Sequence, residues 1–152
     1  MHRVWIYSIG KKDDRCMSAL SKEFIDNTKR FARVETHNIF NKKINQAQKS
    51  DQAQVIYEEI LTPYLLEDGF NIALHPSGKE IDSFEFATLL QEHPKIAFFI
   101  GGAFGFGDGF LQKCDYLLSL SSLTMSHKVA KIVLLEQIFR GFSIINNHPY
   151  HK

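Results

Sequence analysis

The run Ile96-Ala97-Phe98-Phe99-Ile100 is apolar at every position and passes directly into Gly101-Gly102-Ala103-Phe104-Gly105-Phe106-Gly107. A strand without a polar side needs cover on both faces, the condition of a parallel sheet sandwiched between helices. Glycines just past such a strand let backbone approach a ligand closely, because no Cβ stands in the way. Loops at strand ends are also where open α/β sheets bind their ligands. The last third of the chain is therefore where function is expected.

The remaining segments alternate in the same manner. Val4 to Ile9, closed by Gly10, is a compact β-rich run. Asp13 and Asp14 suit the start of a helix through Met17, Leu20, Phe24 and Ile25, and Arg33 to Ile39 is a second, more exposed strand. Residues 41–49 are polar and read as a loop; Ser50 or Asp51 then caps a helix carrying Val55, Ile56, Ile60 and Leu61. Phe70 to His75 is a third strand, stopped by Pro76-Ser77-Gly78, and a helix from Asp82 or Ser83 carries Phe86, Leu89 and Leu90. Tyr116 to Leu120 is the last strand. From His127 to about Ile145 runs a long helix with an apolar stripe of Val129, Ile132, Val133, Leu135, Ile138, Phe139 and Phe142. Repeated β-α units predict an α/β fold, a mostly parallel sheet with helices on both faces. With no internal repeat or linker, residues 1–152 are expected to form one domain.

A formal net charge of +1 means that any nucleic acid must be held by a local basic patch. Cys16 and Cys114 have no zinc or CxxC spacing and read as free thiols, buried or half-buried, in a reducing compartment. No segment reads as a signal peptide or a membrane span, so a soluble, cytoplasmic protein is expected.

The glycine loop fits no familiar phosphate motif. Its glycines match GxGxxG in no register followed by a helix, and the one Gly-Lys pair, Gly78-Lys79, lacks the rest of a Walker A loop. No GxSxG elbow exists, and the hydroxyls near 119–126 suit loop and cap duties, with Thr124 or Ser126 as N-cap. His148-x-x-His151 lacks Cys or carboxylate partners nearby, so no metal site is expected.

In order, spacing and length, FIGGAFGF, SLSSLTMSH, LLEQIFRGFSI and the terminal NHPYHK closely resemble the RlmH family of small SPOUT-class methyltransferases. The likeness extends to Gly10-Lys11 and to Leu74-His75-Pro76-Ser77-Gly78-Lys79, and so covers nearly the whole chain. It implies a C-terminal trefoil knot, a homodimer, and S-adenosyl-L-methionine held mainly by backbone groups of three loops. Carried onto this sequence, those loops are Leu74 and His75, Gly101 and Gly102, and Ser122-Leu123-Thr124-Met125-Ser126-His127. The implied catalytic positions are Arg140, Tyr150 and His151, with the partner's surface contributing to the substrate site. Lys131 stands where the family would have Arg.

The implied reaction moves the sulfonium methyl to N3 of a pseudouridine in large-subunit ribosomal RNA, on the assembled ribosome. N3–H is weakly acidic, so its proton must leave before or during attack, and His151 is a candidate to assist because imidazole titrates near neutral pH. Tyr150 could stack on a splayed base, and Lys128, Lys131, Arg140 and Lys152 could form the positive patch. The alternative is a non-catalytic RNA- or ribosome-binding module of the same fold; a nucleotide-binding domain of unrelated chemistry is more remote.

Overall fold

Five strands form the sheet in the computed structural model, which describes all residues from 1 to 152. They are β1 (His2–Ile9), β2 (Ala32–Ile39), β3 (Phe70–Glu80), β4 (Lys95–Ile100) and β5 (Tyr116–Ser119). Every pairing is parallel, in the order β2-β1-β4-β3-β5. Helices α1 (Arg15–Thr28), α2 (Lys42–Gln46), α3 (Ser50–Leu61), α4 (Ser83–Glu92), α5 (Asp108–Leu111) and α6 (His127–Ile145) occupy the connections and the C-terminal region.

Alternation along the strands divides the core in two. Val4, Ile6, Ile96, Phe98 and Ile100 pack with Phe86 and Leu90 of α4 and with Leu134, Ile138 and Phe142 of α6. Tyr7, Ile9, Ala97 and Phe99 pack on the other face with Ala53, Tyr57 and Leu61 of α3 and Phe110 of α5. The expected parallel sheet with two covered faces is thus what forms. Helix α6 lies against both α1 and α4. Its buried stripe begins later than the sequence suggests: Leu135, Ile138, Phe139 and Phe142 are buried, whereas Val129 is 43% exposed.

Strand β3 continues past the expected stop at Pro76. Leu118 of β5 lies opposite both Leu74 and Lys79, so residues 75–78 are extruded from the ladder and the absent N–H of Pro76 breaks no pair. Gly78 is needed at this crossing, since a Cβ there would sit 2.7 Å from backbone atoms of Leu117 and Leu118. The polar segment read as a loop contains α2, started by Asn41, whose side chain accepts from the Lys43 N–H. Cys16 is exposed on α1, contrary to expectation, because that helix turns its first residues to solvent. Cys114 is half-buried, and burial pushes its thiol up to about 12, leaving it unreactive near neutral pH. No helix is long and apolar enough to cross a membrane.

Candidate active site

Because β3 lies between β4 and β5, its extruded stretch and the segments leaving β4 and β5 emerge side by side. They line one cleft of about 420 Å³, a volume suited to a small molecule. Leu74, His75 and Pro76 come from β3, Ile100 to Phe106 from β4 and its glycine loop, and Leu118 to Met125 from β5 and the loop after it. His127 and Ala130 on α6 and Gln54 on α3 close the sides. No Asp, Glu, Lys or Arg is among the lining residues.

Hydrogen bonds within and between the loops fix the walls. The Gly105 N–H donates to Gly102 O at 3.0 Å, and Gly105 has φ of +67°, a left-handed turn that a side chain would strain. Gln54 Nε2 donates to Phe104 O at 3.0 Å. In the third loop the Leu123 N–H donates to Ser121 Oγ at 3.0 Å, Ser119 Oγ to Ser121 O at 3.1 Å, and Ser122 Oγ to Glu80 Oε1 at 2.9 Å. With hydroxyls spent on the loop, Leu123 is left 77% exposed at the cleft. Every cofactor position expected from the sequence lines this cleft except Ser126, which is the α6 N-cap and accepts from the Val129 N–H at 3.3 Å. Gln54, Phe104 and Phe106 were missed. Their roles depend on α3 packing over the glycine loop, for which no local sequence pattern exists.

His127 begins α6 with its ring against Gly10, where an added Cβ would lie 3.2 Å from Nε2. Burial, then the charges of Lys128 and Lys131, hold its pKa below the ordinary imidazole value. The uncharged ring contributes stability that is present above about pH 6.5 and is lost as pH falls through the lowered folded value. Accordingly, His127→Gln is expected to flatten the fall of Tm between roughly pH 7 and pH 5, measured by thermal melts. An unchanged slope contradicts this.

One turn further along, Lys131 leaves the expected basic patch. Its side chain is 3% exposed, with Nζ 2.5 Å from Asp13 Oδ2 and 3.0 Å from Asn38 Oδ1. A lysine so committed ties the loop after β1 and the end of β2 to α6 and offers no charge to a polyanion.

The C-terminal residues form a second cluster. Just past the end of α6, Asn147 has φ of +54°; the Asn147 N–H donates to Ile144 O and the His148 N–H to Ser143 O at 2.9 Å. This paired bonding is a Schellman turn, with Asn as the left-handed residue. It folds the tail back along the helix, where the Tyr150 ring packs on Phe139 at 4.4 Å. Glu136 Oε1 accepts from Arg140 Nε at 3.1 Å, Arg140 Nη2 at 2.6 Å and Tyr150 Oη at 2.9 Å. Arg140 Nη1 lies 3.1 Å from His151 Nδ1, and its guanidinium carbon is 4.8 Å from the Tyr150 ring centre. Arg140, Tyr150 and His151 are therefore brought together. Glu136, which joins them, was not singled out, although its place four residues before Arg140 is an i,i+4 pairing signal.

The two clusters are separate within one chain. Thirteen helical steps separate His127 at the cleft from Arg140, roughly 20 Å at 1.5 Å per residue. The tail histidines also part company: His148 packs on Phe31 and Phe139, and His151 on Phe84. No group of three or more His, Cys, Asp or Glu side chains converges as a metal ion would need.

Comparison with known proteins gives this geometry its context. A family model described as "Predicted SPOUT methyltransferase" matches residues 2–151. The ribosomal RNA large subunit methyltransferase H of Nitratiruptor sp. is 62% identical over 153 aligned positions, covering 100% of both chains. The protein of the same name from Aliarcobacter butzleri is 47% identical, with 99% of each chain covered. A solved structure titled as a probable methylase family protein, from Haemophilus influenzae, superposes with a TM-score of 0.58 at 14% identity, covering 98% of this chain and 70% of that one. At that identity the likeness speaks for the fold alone. The family match and the full-length relatives lead to one conclusion: the chain belongs to the RlmH family of SPOUT methyltransferases.

Proposed function

We propose that this protein transfers a methyl group from S-adenosyl-L-methionine to N3 of a pseudouridine in large-subunit ribosomal RNA, acting as a homodimer on the assembled ribosome in the cytoplasm. The observation that carries the reading is the cleft. The extruded stretch of β3 and the loops after β4 and β5 meet there with apolar side chains and backbone, and without a fixed charge. A sulfonium donor suits such a site: Leu74, Leu123 and Met125 can flank an adenine, backbone groups of 101–102 and 122–127 can read its edge, and the uncharged His127 does not repel a cation. When bound, the donor supplies an electrophilic methyl. The protein's own contribution is to orient the two reactants and stabilise the charge that develops on the base.

The homodimer finds support in the separation of cleft and tail. Arg140, Tyr150 and His151 cannot meet a ligand in their own chain's cleft without a large rearrangement, so the reading has one protomer's tail complete its partner's site. The trefoil knot is inferred from the family match over residues 2–151. Relatives named as ribosomal RNA large subunit methyltransferases support the substrate class.

The expected result by calorimetry is binding of S-adenosylmethionine and no heat with NAD or ATP. Mass mapping of ribosomal RNA is then expected to lose one methylated pseudouridine in a strain lacking the protein. A silent titration removes the methyl-transfer reading; binding with an unchanged methylation map favours a non-catalytic ribosome-binding module.

A further inference from the structure

We propose that the C-terminal cluster is a set of hydrogen-bond donors locked by Glu136, in which His151 donates to the reacting base while the base's proton leaves to solvent. The inference rests on the methyl-transfer reading above and concerns how its site handles the proton. It reverses the role that imidazole chemistry alone suggests for His151.

A guanidinium has only N–H donors, so Arg140 Nη1, 3.1 Å from His151 Nδ1, requires a lone pair on that nitrogen. The imidazole hydrogen then resides on Nε2, and neither ring nitrogen is free to accept a proton. A second proton on the ring would also set a cation directly against the arginine. Tyr150 is no substitute, because its hydroxyl donates to Glu136 at 2.9 Å, and burial together with that carboxylate raises its pKa above the ordinary phenol value. Glu136 is itself saturated: Oε1 takes three donors and Oε2 accepts from Gln137 Nε2 at 2.7 Å. The potential bases in the tail cluster are therefore committed, while Arg140 and His151 Nε2–H remain as donors.

Other groups around His151 do not alter this. From α4 it meets Phe84, whose neighbours Asp82 and Glu85 are joined in that helix's cap, the Glu85 N–H donating to Asp82 Oδ1 at 2.8 Å. From α6 it meets Arg140, backed by Glu136, and on its own segment it is flanked by Tyr150 and Lys152. In the resulting step hydroxide takes the N3 proton as water. The N3 lone pair forms the bond to methyl carbon, and the methyl–sulfur pair returns to sulfur as the neutral thioether. Negative charge spreads meanwhile onto the base carbonyls, where Arg140 and His151 can donate. Glu136 is a positioning residue, acting through the side chains it holds.

Two measurements test the inference. Long-range proton–nitrogen spectra of the full-length protein are expected to show His151 with hydrogen on Nε2 and a bare Nδ1. Glu136→Ala should lose that preference, and Glu136→Gln, which still accepts at its amide oxygen, should keep it. Rates of methyl transfer to ribosomes at saturating donor are expected to rise about tenfold per pH unit from roughly pH 6 to 8.5 without levelling. His151→Gln, which keeps an N–H but cannot take a proton, is expected to share that slope within about tenfold of the wild-type rate, whereas His151→Ala falls about a hundredfold or more. A profile that levels in the imidazole range and loses the inflection in His151→Gln makes His151 the base and overturns the proposal. So does a hydrogen on Nδ1, or a His151→Gln protein as inactive as the alanine variant. A protein that binds the donor yet methylates no ribosome at any pH sinks the methyl-transfer reading instead, and the spectra still judge the Glu136 lock.

Discussion

Deleting Tyr150 to Lys152 is expected to leave S-adenosylmethionine affinity within about twofold and to reduce methyl transfer by about a thousandfold or more. The two effects separate because the deleted residues do not line the cleft. The cut also falls beyond the Schellman turn at Asn147 and His148, so α6 keeps its C-terminal bonding. What is lost is the Tyr150 contact to Glu136 and Phe139, and the His151 contact to Arg140. Loss of single positioned donors costs about a hundredfold to a thousandfold in other enzymes, and here several go together. Calorimetry and single-turnover transfer on the same preparation provide the check. Full activity in the truncated protein would remove the tail from the mechanism.

The second large effect is on stability. Lys131→Ala is expected to cost about 3–5 kcal/mol, because it leaves Asp13, 12% exposed, as a nearly buried charge without its partner. For a chain of this size that corresponds to a Tm lowered by roughly 10 °C. Asp13→Ala combined with Lys131→Met is expected to recover most of the loss, since the desolvation cost disappears together with the pair. Urea unfolding of the two proteins tests this. Equal stability of Lys131→Ala and wild type would mean that the pair contributes nothing.

Lys131 also marks where sequence reasoning stops. A lysine on an amphipathic helix is ordinarily a solvated charge, and nothing local announces that Asp13 and Asn38, from two separate strand ends, will meet it. By contrast, β4 and its glycine loop were legible because apolarity on both sides of a strand leaves few alternatives. The cofactor positions came from the ordered likeness of whole segments, and the fold brings Leu74, Gly101 and Leu123 to one cleft though they are far apart in the chain. The extension of β3 past Pro76 was hidden because proline usually ends a central strand; here its residue sits in an extruded stretch that needs no N–H. Helix α2 was hidden for a different reason. Its five residues carry no apolar period, and only the Asn41 cap hints at it. Glu136 looked like surface charge until the turn at Asn147 brought Tyr150 and His151 back beside it.

On the function proposed above, the site is shared between two chains, with donor cleft from one and tail from the other. Mixing two defective proteins tests it most directly: one lacking Tyr150 to Lys152, the other carrying Ala130→Trp, which sets an indole into the cleft lining. Neither is expected to methylate ribosomes alone, and activity is expected to appear once mixed dimers form, since one intact cleft then faces one intact tail. Persistent inactivity in a mixture whose mixed dimers are verified by mass would contradict the account.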